Sequence, residues 1–436
     1  MSRPTWKICS TILFFCFLAY PAPVFPEEFQ VGQTVVLHAR KPVGVPLHRS
    51  PSPSFWKHVP TESRAKIHKV DKASQWLYVI LDSGEAGWVS PRYVQSNSLS
   101  FIKEEDSAEA MSDEAAVWAS PEQCQQVVET GGRMVPASTS TLRLATWNIR
   151  WFPDGFPQDE RSDVAEKTDL VWLVCTIVWM QVDILAVQES LATPEANQAW
   201  NTIIQSLKEK TGDSWGWTPQ PCGQPDDHHL GFLWNTDRVS LSGFDTLWQF
   251  NVKAKRPNEP CAGGLRPGFY ARVSSREPQG ADFHLIALHL KSGPTVFAVE
   301  KRHQALNRID KSVAPLLGQD QDIVILGDFN TMGAGDKRSK KYELKGVRRL
   351  VAKEEPGFHD LQPNPQCTHY FRGRGGRLDH ILVAKGMTEV SSLSARVTGY
   401  CAVVGCRRIK GEYPLAYRRL SDHCLVIVEI QNHDED

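Results

Sequence analysis

Four apolar residues in a row, Ile323-Val324-Ile325-Leu326, run straight into Gly327-Asp328-Phe329-Asn330-Thr331. A run of this kind, mostly β-branched, predicts a strand covered on both faces, which belongs in the middle of a layered fold rather than at its edge. Gly327 predicts a sharp turn at its end. Asp328 and Asn330 stand two residues apart, so on one side of an extended chain, and offer a carboxylate and an amide to whatever lies beyond. Alone, the stretch reads equally well as a strand closed by an Asx-type turn. The constraint on the fold comes from recurrence of the pattern.

Leu142 to Arg150 alternates as a strand with Asn148 near its end, and the apolar run from Ile184 ends on Glu189. Phe283 to Leu288 ends on His289, while Asp379 and the pair Asp422-His423 border two later apolar runs. Helices are predicted near 164–180, 195–210 and 297–317. Strands and helices mix without the strict alternation of a doubly wound sheet, which predicts an α/β (α+β) sandwich of two mixed sheets with helices outside. A single strand-end Asp is ordinarily a cap, and a single His a satisfied structural group. Asn148, Glu189, His289, Asp328, Asn330, Asp379, Asp422 and His423 together point instead to one site. Carboxylates and amides suit a hard cation such as Mg²⁺, with Mn²⁺ or Ca²⁺ as alternatives, and two imidazoles exchange protons near neutral pH.

A chain of 436 residues is too long for one small core and favours two domains. Lys and Arg (49) nearly balance Asp and Glu (50), so a case for a polyanionic partner must be made locally. Arg3 and Lys7 precede an uncharged apolar run, Ile8 to Tyr20, with the small Ala22 beyond it. This predicts a signal peptide over 1–22, a secreted or periplasmic protein, and no membrane-spanning segment in the mature chain. In an oxidising compartment the eight later cysteines are free to form disulfides. Cys222 with Cys261 and Cys401 with Cys406 are the favoured pairs, Cys175 and Cys424 read as buried thiols, and no spacing suits zinc. Short alternating strands around Asp82-Ser83-Gly84 predict a small all-β barrel over 27–96. An acidic and polar linker follows over 97–140, with room for one helix near 113–129, and predicts independent movement of the two modules.

Six motifs then stand in a telling order. They are Thr146-Trp147-Asn148-Ile149, Gln188-Glu189-Ser190, His289-Leu290-Lys291-Ser292, Gly327-Asp328-Phe329-Asn330-Thr331, Arg377-Leu378-Asp379-His380 and Ser421-Asp422-His423. In this order they resemble the endonuclease/exonuclease/phosphatase superfamily over about 141–432. The resemblance implies a four-layered DNase I-like sandwich. It also implies that Glu189 ligates a divalent cation, with Asn148 beside it and Asp422 contributing to a second position. Asp379 would orient His423, Asp328 and Asn330 would position nucleophile and phosphate, and His289 would be the second acid/base group. The run Trp76-Leu77-Tyr78-Val79 with Gly87-Trp88-Val89-Ser90 resembles the bacterial SH3-like domain, which implies a module that binds cell wall or a protein partner.

The segment Leu265 to Arg272 resembles the place where nuclease members hold a phosphate-contacting arginine, which makes Arg266 a substrate-binding candidate. His228 and His229 read as a polar loop bordering the cleft. Basic residues gather at 336–353, at Arg372, Arg374 and Arg377, and from Arg407 to Arg419. They favour a nucleic acid backbone, DNA or RNA, read with little dependence on sequence. The expectation is a monomeric, metal-dependent nuclease. Its rivals are a sphingomyelinase-like lipid phosphodiesterase or a phosphatase, and an inactive binding protein targeted by its small module.

Overall fold

The computed structural model describes residues 31, 34–37, 44–50, 55–60, 63–71, 76–81, 83–95, 112–156, 165–335, 337–353 and 356–434. The predicted signal peptide and the acidic stretch at 104–109 lie outside these residues. The chain divides into two compact units, Met1–Glu109 and Ala110–Asp436.

The first unit is built from β1 (Thr34–Leu37), β2 (Val45–His48), β3 (Phe55–Val59), β4 (Ser63–Val70), β5 (Leu77–Leu81), β6 (Ala86–Val89) and β7 (Val94–Gln95). They form one antiparallel sheet in the order β3-β2-β6-β5-β4-β1-β7, compatible with a small barrel. Alternation does what the sequence predicts. Leu77, Val79 and Leu81 are buried together with Val35, Leu37, Ala65 and Ile67, while Arg64 and Lys66 on the other side of β4 are exposed.

In the second unit, α1 (Asp113–Val117) and α2 (Pro121–Glu129) precede β8 (Thr141–Phe152), α3 (Leu170–Met180), β9 (Ile184–Ser190) and α4 (Pro194–Thr211). Next come β10 (Trp215–Pro219), β11 (His229–Asn235), β12 (Val239–Leu247), β13 (Gly268–Ser275) and β14 (Asp282–His289). Helices α5 (Val296–Leu306) and α6 (Ile309–Val313) lead to β15 (Ile323–Asp328), and α7 (Lys337–Val351) to β16 (Phe358–Asp360) and β17 (Gln362–Asn364). The hairpin β18 (His369–Phe371) and β19 (Arg374–Gly376) is followed by β20 (Asp379–Ala384), β21 (Ser394–Val397), α8 (Tyr400–Val404), α9 (Leu415–Arg419) and β22 (Val426–Gln431). One mixed sheet runs β10-β11-β9-β8-β22-β21-β17, and a second runs β12-β13-β14-β15-β20-β16. The two face each other across one continuous core, with β15 against β8 and β9.

The predicted linker is corrected in its second half. Helix α3 is buried on nearly every side from Trp172 to Met180, so it needs cover on its outer face as well as its inner one. Helices α1 and α2 supply that cover: Cys124 of α2 is bonded to Cys175, and Trp172 Nε1 donates to Val117 O at 2.7 Å. Residues 112–140 are therefore part of the large unit. The cysteine pairing changes too. Cys222–Cys261 is present, but Cys401 pairs with Cys424 and Cys406 with Cys367, so Cys175 and Cys424 are not free thiols. Cys401 sits inside α8, whereas Cys406 follows the left-handed turn at Gly405, and each meets a partner from another part of the chain.

Gly327 is not the end of its strand. It lies within β15 at φ +138°, and a Cβ there would stand 1.9 Å from Leu288 O. Only glycine lets β14 and β15 close up just before their functional ends.

Candidate active site

Strand register builds the site. Strands β14 and β15 are parallel with His289 opposite Asp328, and β15 and β20 are antiparallel with Asp328 opposite Asp379. Cross-strand neighbours share a face, so these three side chains stand in one row aimed at the other sheet. From that sheet Asn148 and Glu189 come off the adjacent parallel ends of β8 and β9. His423 enters just ahead of β22, where Trp147 Nε1 donates to its carbonyl at 3.1 Å.

Asn148 joins the sheets: its Nδ2 donates to Glu189 Oε1 at 3.0 Å and to Asp328 Oδ2 at 3.1 Å. Its Oδ1 accepts from Arg150 N at 3.0 Å, so the amide stands as a bridge between carboxylates with its oxygen turned to the backbone. Asp328 Oδ1 accepts from Asn330 N at 2.8 Å, and Asn330 Nδ2 reaches Asp328 Oδ2 at 3.1 Å and Leu290 O at 3.2 Å. Arg150, Trp151, Glu189 and Asn330 all hold φ between 42° and 64°. Such backbones cost about 1–2 kcal/mol each for side chains other than glycine, and these bonds hold them in place.

Two imidazoles face Asp328 Oδ2, His289 Nε2 at 3.5 Å and His423 Nε2 at 3.8 Å. His423 is the better held, its Nδ1 standing 2.9 Å from Asp379 Oδ2. Burial works against its charge, yet Asp379 and Asp328 outweigh burial and hold the ring up to about 10. His289 is pushed well below the ordinary imidazole range by burial, with Arg266 and His228 adding to the effect. Burial raises Asp328 to about 7, the His423 charge pulling the other way. Burial also opposes the charge on Asp422, but His369 at 3.6 Å and His423 hold its carboxyl well below the carboxylate range.

One group at the site, His369, was not singled out from sequence, and another, His228, was placed only at the border of the cleft. His228, read as part of a polar loop, lies 3.7 Å from Glu189 Oε1, its ring parallel to that of His289 at 5.9 Å. Arg266 Nη2 meets His228 Nδ1 at 3.0 Å, so this candidate arginine reaches the site through a histidine. His229 is structural, both ring nitrogens facing backbone carbonyls. His369 stands over His423 with ring centroids 4.5 Å apart. Neither spacing nor periodicity marks His369, because its place depends on the bridge between His369 and His423.

The basic clusters divide on folding. Arg377 is buried against Asp360 and leaves the basic surface, while Arg418 and Arg419 stay partly exposed and share the Glu166 carboxylate. Lys341, Lys345 and Arg349 on α7 remain exposed, as do Arg372, Arg374, Arg407, Arg408 and Lys410.

Glu189, His228 and His289 offer three donor atoms within 4.8 Å of one another. Glu189 keeps 16% of its side chain open, and its Oε2 accepts from Trp151 N at 3.2 Å. A partly open carboxylate among buried polar groups fits a hard divalent cation that keeps most of its own water.

The sequence profile of the Endonuclease/Exonuclease/phosphatase family matches residues 145–423, more than half of the chain, and the chain belongs to that family. No curated protein matches the sequence. Among solved structures it is similar to an endonuclease/exonuclease/phosphatase from Bacteroides vulgatus, at 17% identity over 67% of this chain and 99% of that one, with a TM-score of 0.44. It is also similar to the human Nocturnin catalytic domain with bound sulfate, at 15% identity over 68% and 96%, with a TM-score of 0.42. A humanized D. rerio TDP2 gives 16%, 67% and 100%, with a TM-score of 0.41.

Proposed function

We propose that the protein is a divalent-metal-dependent phosphodiesterase acting on nucleic acid with little regard to sequence. One observation carries this reading: Asn148, Glu189, His289, Asp328, Asp379 and His423, from separate strand ends, meet in one cleft of a phosphoesterase-family fold. Glu189 would hold the cation, with Asn148 beside it and Asp422 at a second position; Mg²⁺ is the ion to test first, and Mn²⁺ and Ca²⁺ suit carboxylate oxygens as well. The bound cation supplies charge neutralisation at the phosphoryl oxygens.

The remaining work falls to the chain's own groups. Asp379 takes the Nδ1 proton side of His423 and leaves Nε2 facing the cleft, where a proton is handed to or taken from a reacting oxygen. His289 stands opposite with its own Nε2 toward Asp328. Asn330 and Asp328 fix each other and so fix the floor on which a phosphate rests. Arg266 steadies His228 and presents positive charge to the substrate. Exposed arginines and lysines on α7 and on the loop after α8 follow the polyanion backbone.

Four disulfides support the reading of an exported protein, secreted or periplasmic after loss of residues 1–22. No helix among the described residues is long and apolar enough to cross a membrane. The chain works as a monomer, and its SH3-like module binds cell wall or a protein partner.

The test is incubation of the mature protein with supercoiled plasmid and Mg²⁺, beside an EDTA control and a His289→Ala/His423→Ala double variant. Metal-dependent nicking absent from the variant is expected. Intact plasmid with Mg²⁺, Mn²⁺ and Ca²⁺ alike overturns the endonuclease reading.

A further inference from the structure

The hairpin β18–β19 stands beside the catalytic groups, joined to them by the bridge between His369 and His423. On β18, Tyr370 is buried, so His369 and Phe371 share the opposite side of the strand, about 7 Å apart along it. His369 touches the site through His423 and Asp422. Phe371 is 61% exposed, although a large apolar ring is ordinarily covered. Arg372 stands with its guanidinium carbon 5.2 Å from the centre of that ring.

This exposed ring is rigidly mounted. Cys367, at the foot of the hairpin, is bonded to Cys406; Ile409 N donates to Gly373 O at 2.9 Å, and Tyr370 OH donates to Arg407 O at 2.8 Å. The hairpin and the loop after α8 are thus one platform carrying Arg372, Arg374, Arg407, Arg408 and Lys410, all exposed, with Glu412 as the acid at its edge. Among the described residues none of these five cations makes an ion pair within 4.0 Å.

We propose that this platform is a subsite for an unpaired nucleotide next to the scissile phosphate, with Phe371 stacking on its base and the surrounding arginines taking the flanking phosphates. His369 is the residue that borders both subsite and reaction centre. The inference rests on the phosphodiesterase reading and narrows its substrate to strands with accessible bases. Three features select this occupant. A rigid aromatic face beside unpaired cations is the combination that holds single strands without base specificity. Phe371 stands two residues along β18 from His369, whose ring centroid lies 4.5 Å from that of His423, so base and scissile phosphate would be neighbours on one strand. A membrane surface fits less well, because the guanidinium over Phe371 would have to follow the ring into hydrocarbon at considerable cost.

Binding is read without turnover, in EDTA, from the fluorescence of a single-stranded DNA oligonucleotide carrying 2-aminopurine. Wild type is expected to quench it, and Phe371→Ala to weaken binding by roughly tenfold, within the range of one base stack; Phe371→Trp should restore it. With Mg²⁺, the KM of Phe371→Ala for the oligonucleotide should rise about tenfold more than its KM for bis(p-nitrophenyl) phosphate. Binding and KM indifferent to Phe371→Ala overturn the subsite, as does an equal loss on both substrates, which marks a structural role. Loss of sedimentation with phosphatidylserine vesicles in Phe371→Ala, with oligonucleotide binding intact, overturns it in favour of a lipid surface. Quenching that depends on Phe371 in a protein that cleaves neither substrate leaves the subsite standing and removes the catalytic reading alone.

Discussion

His289 and His423 are two buried imidazoles facing the same oxygen of Asp328, and their proton affinities are driven apart. Burial lowers both. The difference lies in what stands behind each ring: Arg266 and His228 behind His289, Asp379 behind His423. One fold thus holds a proton-poor and a proton-rich imidazole about one carboxylate, the arrangement that acid and base roles at a single pH require.

The largest expected effect comes from removing the carboxylate that separates them. Asp379→Asn should cut kcat on bis(p-nitrophenyl) phosphate by about 10²–10⁴-fold and bring the His423 ring down toward its ordinary range, followed by NMR. A ring still titrating near 10 in that variant would show that Asp379 is not the cause. Next comes Glu189→Gln, which should weaken Mn²⁺ binding, followed by electron paramagnetic resonance, by more than roughly tenfold, a ligand costing at least what a residue hydrogen-bonded to a ligand does. Unchanged affinity would move the cation elsewhere in the cleft.

Stability should separate the rings as well. A His423 raised from its ordinary 6.5 to about 10 contributes stability that is fully present below pH about 6.5 and lost as pH climbs through about 10. In EDTA, wild type should therefore lose more stability than Asp379→Asn between pH 7 and 10 in urea titrations. Parallel curves would contradict the pairing. The smallest effect is expected on the other side of Asp328. Arg266→Gln removes one of the influences that depress His289, so its ring should titrate higher than in wild type and still below the usual range, because burial remains.

Much of this was legible in the chain. Apolar runs ending in Asn148, Glu189, His289 and Asp328 announced buried strands with polar tips, since a strand covered on both faces must be apolar and its end is where polarity becomes affordable. Helix α4 from Pro194 to Thr211 follows its own cap, Thr193 accepting from Ala196 N, and its left-handed stop at Gly212. What sequence misplaced depends on partners far along the chain. Residues 112–140 read as linker because α1 and α2 carry little apolar surface of their own; they become part of the core only where α3 needs an outer cover. Arg377 read as part of a basic surface until Asp360 arrives to bury and pair it, and Arg418 and Arg419 until Glu166 arrives to share its carboxylate with both.

The sequence by itself determined which groups the strands deliver, because period, burial and chain direction set each strand's end. The tertiary structure decided which of them meet, and at what protonation. Sheet register places Asp328 opposite both His289 and Asp379, a disulfide brings Cys367 to Cys406, and a bridge lays His369 over His423. Electrostatic influence falls off within a few ångströms, so the proton each imidazole holds belongs to its spatial neighbours and is not written in any local stretch of the chain.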